Sequence, residues 1–265
     1  MKPEYDAALR DFSEALKSWR TWSRLGWRDV RRRYVRSLIG PFWITVSLGI
    51  LVLTLSVVWT NLWKVNLKDY VPFVSAGVIC WAMISTILTD SCALFVTAEP
   101  LIRSMKFPYS ILSLALVWKH LVFFFHNLLI YVLVILFFGV PVNAYSMLAI
   151  PGLLFVWLNG WWLSTLLGLL GARFRDVQQL VLPVLQIVFF VTPIFWPAEQ
   201  MSARASPYLV DMNLVFHFIE VVRMPMLGRP PALVNWAVVI CCTVAGWLVT
   251  LWFFGRFRRR LPYWL

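Results

Sequence analysis

Acidic residues are scarce in this chain. Twelve Asp and Glu stand against 24 Lys and Arg, and charged residues make up only 14% of the 265 while hydrophobic ones make up 61%. A soluble domain carries about 25% charged and about 45–50% apolar residues. The deficit predicts one integral membrane domain and no soluble domain of independent size. The net charge of +12 does not point to nucleic acid, because the arginines sit beside apolar runs rather than along one continuous polar face.

Catalytic chemistry is missing as well. The chain has no GxxxxGK[ST] phosphate loop, no HExxH, no GxSxG and no convergent set of acids or histidines that would make a catalytic face. Cys80, Cys241 and Cys242 fall inside apolar runs and Cys92 near the end of one, without metal-ligand spacing. No cofactor or metal is therefore expected on this chain, and it reads as no enzyme. No cleavable leader is visible in the first 37 residues, so the first spanning helix is expected to act as the targeting signal.

What is present is apolar length. A spanning helix needs about 20 mainly apolar residues, and six segments qualify, near 39–60, 70–89, 112–138, 147–171, 177–195 and 233–254. The expected fold is an all-α membrane protein of six transmembrane helices. Residues 1–37 form a basic segment with an interface helix, 38–195 helices one to five, 196–231 an external segment, 232–255 helix six and 256–265 a tail. Nineteen of the 24 Lys and Arg fall on the N-terminal side of the membrane. The positive-inside rule then puts both termini in the cytoplasm.

Several short stretches carry the local expectations. Tyr5, Leu9, Phe12, Leu16 and Trp19 form one stripe of an amphipathic helix, with Asp6 and Arg10 paired on another face. Such a helix lies in the membrane interface. Arg28, Arg31, Arg32, Arg33 and Arg36 lead into Gly40-Pro41 and an apolar run. They anchor topology on anionic headgroups, or also meet a phosphate-bearing substrate through the planar guanidinium fork. Thr97 to Ser110 carries two prolines around a helical turn or two. Trp196 to Pro231 is long for a connection and holds apolar stretches broken by His217, Glu220 and Arg223, which suggests short re-entrant or interfacial helices. His120, His126 and Asn127 lie in the third apolar run with no acid close by in sequence, so helix-packing hydrogen bonds are expected of them. Gln179 and Gln186 mark a polar stripe on a helix that Pro193 should kink or end.

Four stretches in order resemble the permeases of bacterial polysaccharide-export ABC transporters, the type-two exporters. They are "RRRYVRSLIGPFW", "VWKHLVFFFHNLLIYVLV", "GARFRDVQQLVLPVLQIVFFVTPIFWP" and "MNLVFHFIEVVRMPMLG". The last departs from the family pattern at Leu214, where proline is usual. The exporters of O-antigen polysaccharide are the most similar group. The resemblance implies a six-helix half-transporter that pairs with a second copy and with two copies of a cytoplasmic ATPase. ATP and Mg would be bound by that ATPase, with undecaprenyl-diphosphate-linked glycan as cargo, in the bacterial inner membrane among its lipids. Arg31, Arg32, Arg33, Tyr34, Ser37, Trp43, Gln179, Gln186, Phe190, Phe195 and Trp196 are then candidates for the substrate path. Glu99, Pro100, Arg103, Lys106 and Pro108 are candidates for ATPase coupling, and His217, Glu220 and Arg223 for an external gate. Capsular or teichoic-type polymer is an alternative cargo. A membrane-embedded glycan-processing enzyme is the alternative of another class.

Overall fold

The computed structural model describes residues 3–34, 40, 42–198 and 207–265, and among them only helices and connections occur. Five helices are long and apolar enough to cross a membrane: α3 (Phe42–Trp63), α4 (Leu67–Cys92), α7 (Ser110–Phe138), α8 (Ala149–Arg173) and α11 (Leu233–Phe257). The fifth expected segment differs. Its helix, α9 (Val177–Val191), has 15 residues, about 22 Å at 1.5 Å per residue. It stops because Thr192 precedes Pro193, whose ring drives the preceding residue to extended backbone; Thr192 has φ −80° and ψ 136°.

Local signals account for the other boundaries. Asn66 caps α4, its side chain accepting from the Lys68 N–H at 3.0 Å. Pro72 is the sixth residue of α4, beyond the first turn, and removes the N–H that would pair with the Lys68 carbonyl. Gly139, at φ 67°, ends α7 in the left-handed conformation that glycine adopts without strain. The core lies where α4, α7, α8 and α10 (Leu214–Met226) meet, with Val74, Ile79, Val117, Phe124, Ile219 and Val221 buried in it. Small polar side chains also join the helices. Ser91 donates to Ser164 at 2.8 Å, Thr165 to Ser113 at 2.8 Å and the Asn159 amide to Thr243 at 2.7 Å. Such bonds hold helices together where hydrophobic burial does not, because lipid is as apolar as leucine.

Two helices precede the first span, α1 (Pro3–Lys17) and α2 (Trp19–Tyr34), divided at Ser18. The buried face of α1 is not the expected aromatic stripe. Ala8, Asp11, Phe12 and Ala15 are buried, whereas Leu9, Leu16 and Trp19 are exposed. Small Ala8 and Ala15 let the backbone approach its neighbours, and Phe12 inserts among Trp161, Trp247 and Phe254 at ring separations of 5.1–5.5 Å. Asp6 and Arg10 form no ion pair among the described residues; the adjacent Asp11 is the acid that is used.

Candidate functional site

The charged side chains collect at one end of the helix bundle, where α1 and α2, the short helices α5 (Leu94–Thr97) and α6 (Glu99–Ser104), and the C-terminal helix α12 (Leu261–Trp264) meet. Helix α2 lies on α7. A Cβ added at Gly26 would sit 2.5 Å from the Ala115 carbonyl oxygen, so only glycine permits this approach. Trp22 meets Trp118 edge-on at 5.7 Å, and Arg33 lies 5.5 Å over the Phe123 ring. Arg31, Arg32 and Arg33 are exposed, Arg33 on the α7-facing side with Gly26 and Val30. Trp43, in the first turn of α3, is also exposed. Ser37 and the Tyr34 side chain lie outside the described residues.

The 97–110 stretch forms the expected turns. Glu99 and Arg103 pair at 2.8 Å on the surface of α6, Pro100 occupies its first turn, and Ile102 is buried beneath it. Lys106 is exposed, and Pro108 borders a hollow beside Arg258. Asp11 fixes this arrangement. Its Oδ1 accepts from the Ser110 N–H at 3.0 Å and the Ser110 hydroxyl at 2.6 Å, its Oδ2 accepts from the Tyr109 N–H at 3.0 Å, and Arg258 pairs with Oδ2 at 2.7 Å. One carboxylate thus caps α7 from another helix and ties in the C-terminal tail. Burial pushes the Tyr109 hydroxyl up, with Arg258 pulling it the other way.

A second node gives His120 a helix-packing hydrogen bond of the kind expected, from an acid distant in sequence. Asp90, in the last turn of α4, accepts from Lys119 at 2.7 Å and lies 3.0 Å from His120 Nε2. His120 is buried, and its Nδ1 has no partner among the described residues. His126 donates to the Val122 carbonyl within its own helix, and Asn127 accepts from Thr45 of α3 at 3.4 Å. Asp90 was missed because its partners are about 30 positions away. The available signal was that it is the only charged residue from Tyr70 to Cys92, and a lone acid in an apolar run needs a counter-charge.

Helix α9 carries the other path candidates. Gln179, Gln186 and Phe190 are exposed, and only Leu185 of this helix is buried. Neither glutamine has a hydrogen-bond partner among the described residues. Phe195 does not line an open surface. It is buried against Trp59, Phe189 and Phe190, while Trp196 is half-buried and donates to the Phe190 carbonyl at 3.0 Å.

At the far end, α10 starts at Leu214 because Asn213 caps it, accepting from the Phe216 N–H at 3.2 Å. Burial is all round from Ile219 to Arg223 rather than one-sided. Arg223 donates through Nε to Glu220 Oε1 at 2.7 Å and again through Nη2, gives Nη1 to the Pro193 carbonyl at 2.7 Å, and lies 4.2 Å over the Phe73 ring. His217 donates from Nε2 to the Asp211 carbonyl at 2.9 Å, and its Nδ1 lies 2.8 Å from the Asn235 amide oxygen. The three gate candidates are therefore internal ties of the protomer.

This arrangement has a basic, helix-capped end, five apolar spans and a buried ion pair at the far end. Residues 20–227 match the ABC-2 type transporter family. The chain belongs to that family. It is a membrane permease subunit, and the match runs from α2 through α10. Two relatives are named O-antigen export system permease protein RfbA in Klebsiella pneumoniae. One is 21% identical over 191 residues, 70% of this chain and 72% of the relative. The other is 18% identical over 227 residues, 84% and 85% of the two chains. A protein of the same name from Myxococcus xanthus is 22% identical over 184 residues, 69% and 70%.

Proposed function

We propose that this permease is the channel-forming half of an exporter that moves undecaprenyl-diphosphate-linked O-antigen polysaccharide across the bacterial inner membrane. The family match over residues 20–227, together with the similarity to relatives named as O-antigen export permeases, carries this reading. Two copies of a separate ATPase bind ATP and Mg and drive the export, in keeping with the absence of a phosphate loop here. The exposed α6, with Arg103 and Lys106, is the docking element for that ATPase. Both termini are cytoplasmic, α1 and α2 lie along that membrane face, and α9 with Thr192 to Trp196 makes the sixth crossing.

The path runs beside α3 and α9, and the glutamines support that choice. An amide exposed to hydrocarbon without a partner costs several kcal/mol at the upper end of about 2–7, so Gln179 and Gln186 require water, polymer or a second copy. On α3 three exposed polar side chains bond within their own helix: Ser47 donates to the Trp43 carbonyl at 2.9 Å, Thr54 to Ile50 at 2.8 Å and Asn61 to Val57 at 2.7 Å. A second copy facing α9 would enclose a lining of glutamine and aromatic rings, suited to hydrogen-bonding and stacking a sugar chain. At the outer end, the Glu220–Arg223 pair holds α10 in its closed position.

Reconstitution tests the reading. The purified chain alone should hydrolyse no ATP, and hydrolysis should appear with a second subunit and rise when lipid-linked O-antigen is supplied. Hydrolysis by the chain alone would contradict the division of labour, and stimulation by a capsular or teichoic-type polymer instead would replace the cargo. Arg103→Glu with Lys106→Glu should weaken ATPase assembly while leaving helix content unchanged.

A further inference from the structure

A cleft of about 540 Å³ opens at the basic end between α2, the ends of α4 and α7, and α6. Arg28 and Arg32 line one wall, four apart on α2, and Lys119 and Asp90 line the floor. Leu25, Leu112 and Leu116 make the apolar part of the lining, and Pro100 and Leu101 of α6 close the third side.

The charges in this cleft do not cancel. Among the described lining residues, three cations (Arg28, Arg32, Lys119) face two carboxylates (Asp29, Asp90), a net of +1. Lys119 is committed to Asp90 at 2.7 Å, and Arg28 approaches its neighbour Asp29 only loosely, at 3.8 Å. Arg32 enters no ion pair among the described residues. We propose that this cleft binds the phosphodiester headgroup of a membrane phospholipid, with Arg28 and Arg32 on the phosphate and the apolar wall along the start of the acyl chains.

Three considerations select that ligand. Guanidinium forks match phosphate oxygens and are weakly hydrated, so they suit a partly enclosed site. One phosphodiester carries one negative charge and balances the lining, whereas a diphosphate would overfill it and press a further negative charge toward Asp29 and Asp90. The leucine wall would gain nothing from inorganic phosphate, and it lies where α2 meets the spanning helices. The site depends only on a membrane setting, not on which polymer is exported. A lipid seated there would brace α2 against α6, making the position of α6 sensitive to the surrounding lipid.

Native mass spectrometry of the full chain, stripped of lipid in detergent and titrated with defined lipids, tests this. Phosphatidylglycerol, of net charge −1, should bind at one site per chain, phosphatidylethanolamine, whose ammonium offsets its phosphate, should bind there more weakly, and diacylglycerol, which lacks the phosphate, should not compete. Arg28→Gln with Arg32→Gln should weaken binding at least tenfold, Arg28→Lys with Arg32→Lys, which keeps the charge but loses the fork, should weaken it by a smaller factor, and Arg24→Gln, on α2 outside the cleft, should change nothing. The lipid comparison on the unaltered chain decides the matter even if the double glutamine variant folds poorly. Competition by diacylglycerol, an equal loss in Arg24→Gln, or tighter binding of undecaprenyl diphosphate at this site would overturn the assignment.

Discussion

Helices α3 and α4 are neighbours in sequence and both long enough to span, yet they belong to different parts of the molecule. Only 17% of the most apolar window of α3 is buried within the protomer, against 61% for α4. Helix α4 packs against α7, α8 and α10, whereas α3 and α9 lie at the margin with large apolar side chains exposed, Ile50, Leu53, Ile187 and Phe190 among them. In water such exposure would be costly, but in lipid it is neutral. Burial therefore distinguishes fixed framework from available surface, and unsatisfied polar groups distinguish lipid-facing surface from functional surface. By that second criterion α9, whose Gln179 and Gln186 are exposed without a hydrogen-bond partner among the described residues, is the margin proposed to be functional. His217, Glu220 and Arg223, by contrast, are buried and bonded within the framework.

The contrast makes graded predictions. Breaking a buried ion pair leaves an uncompensated charge and costs about 3–5 kcal/mol, so Arg223→Ala should lower thermal stability in detergent by about that amount. Gln186→Ala on the exposed face of α9 should stay within about 0.5 kcal/mol; equal losses would erase the distinction between the two regions. Asp11→Ala comes next, at about 2–3 kcal/mol, since it strips charged hydrogen bonds from the start of α7. Limited proteolysis should then cut between α1 and α2 first, and uniform cleavage along the chain would count against a local clamp. Asp90→Asn should cost about 1–2 kcal/mol, because an amide oxygen still accepts from Lys119 while the charge is lost; a wild-type melting temperature would mean that the α4–α7 node is incidental.

Much of this organisation is legible in the sequence because lipid imposes a length rule. Five of the six apolar runs became helices within a few residues of their expected bounds, α11 beginning at Leu233 as expected. The fifth apolar run continues through Phe195 while its helix stops at Val191, just ahead of Pro193, the residue expected to kink or end it. Contacts between distant positions were not legible. Asp11 reaches Ser110 across 99 positions, Asp90 reaches His120 across 30, and Arg223 reaches Pro193 across 30. Periodicity identifies a face but not what that face meets, so the aromatic stripe expected on α1 differs from the face of Ala8, Asp11, Phe12 and Ala15 that is buried.

The central claim is that α9 presents its glutamine-bearing face to a second copy of the chain around the export path. Oxidative cross-linking of single cysteines in native membranes tests it most directly, in a background lacking Cys80, Cys92, Cys241 and Cys242. Gln186→Cys or Phe190→Cys should produce a product at twice the 30.8 kDa chain mass, with cross-linking altered when ATP and lipid-linked polysaccharide are supplied with the ATPase. Leu136→Cys, exposed on α7 away from α9, should give none. A dimer formed through Leu136 and not through α9, or no dimer from any position, would contradict the account.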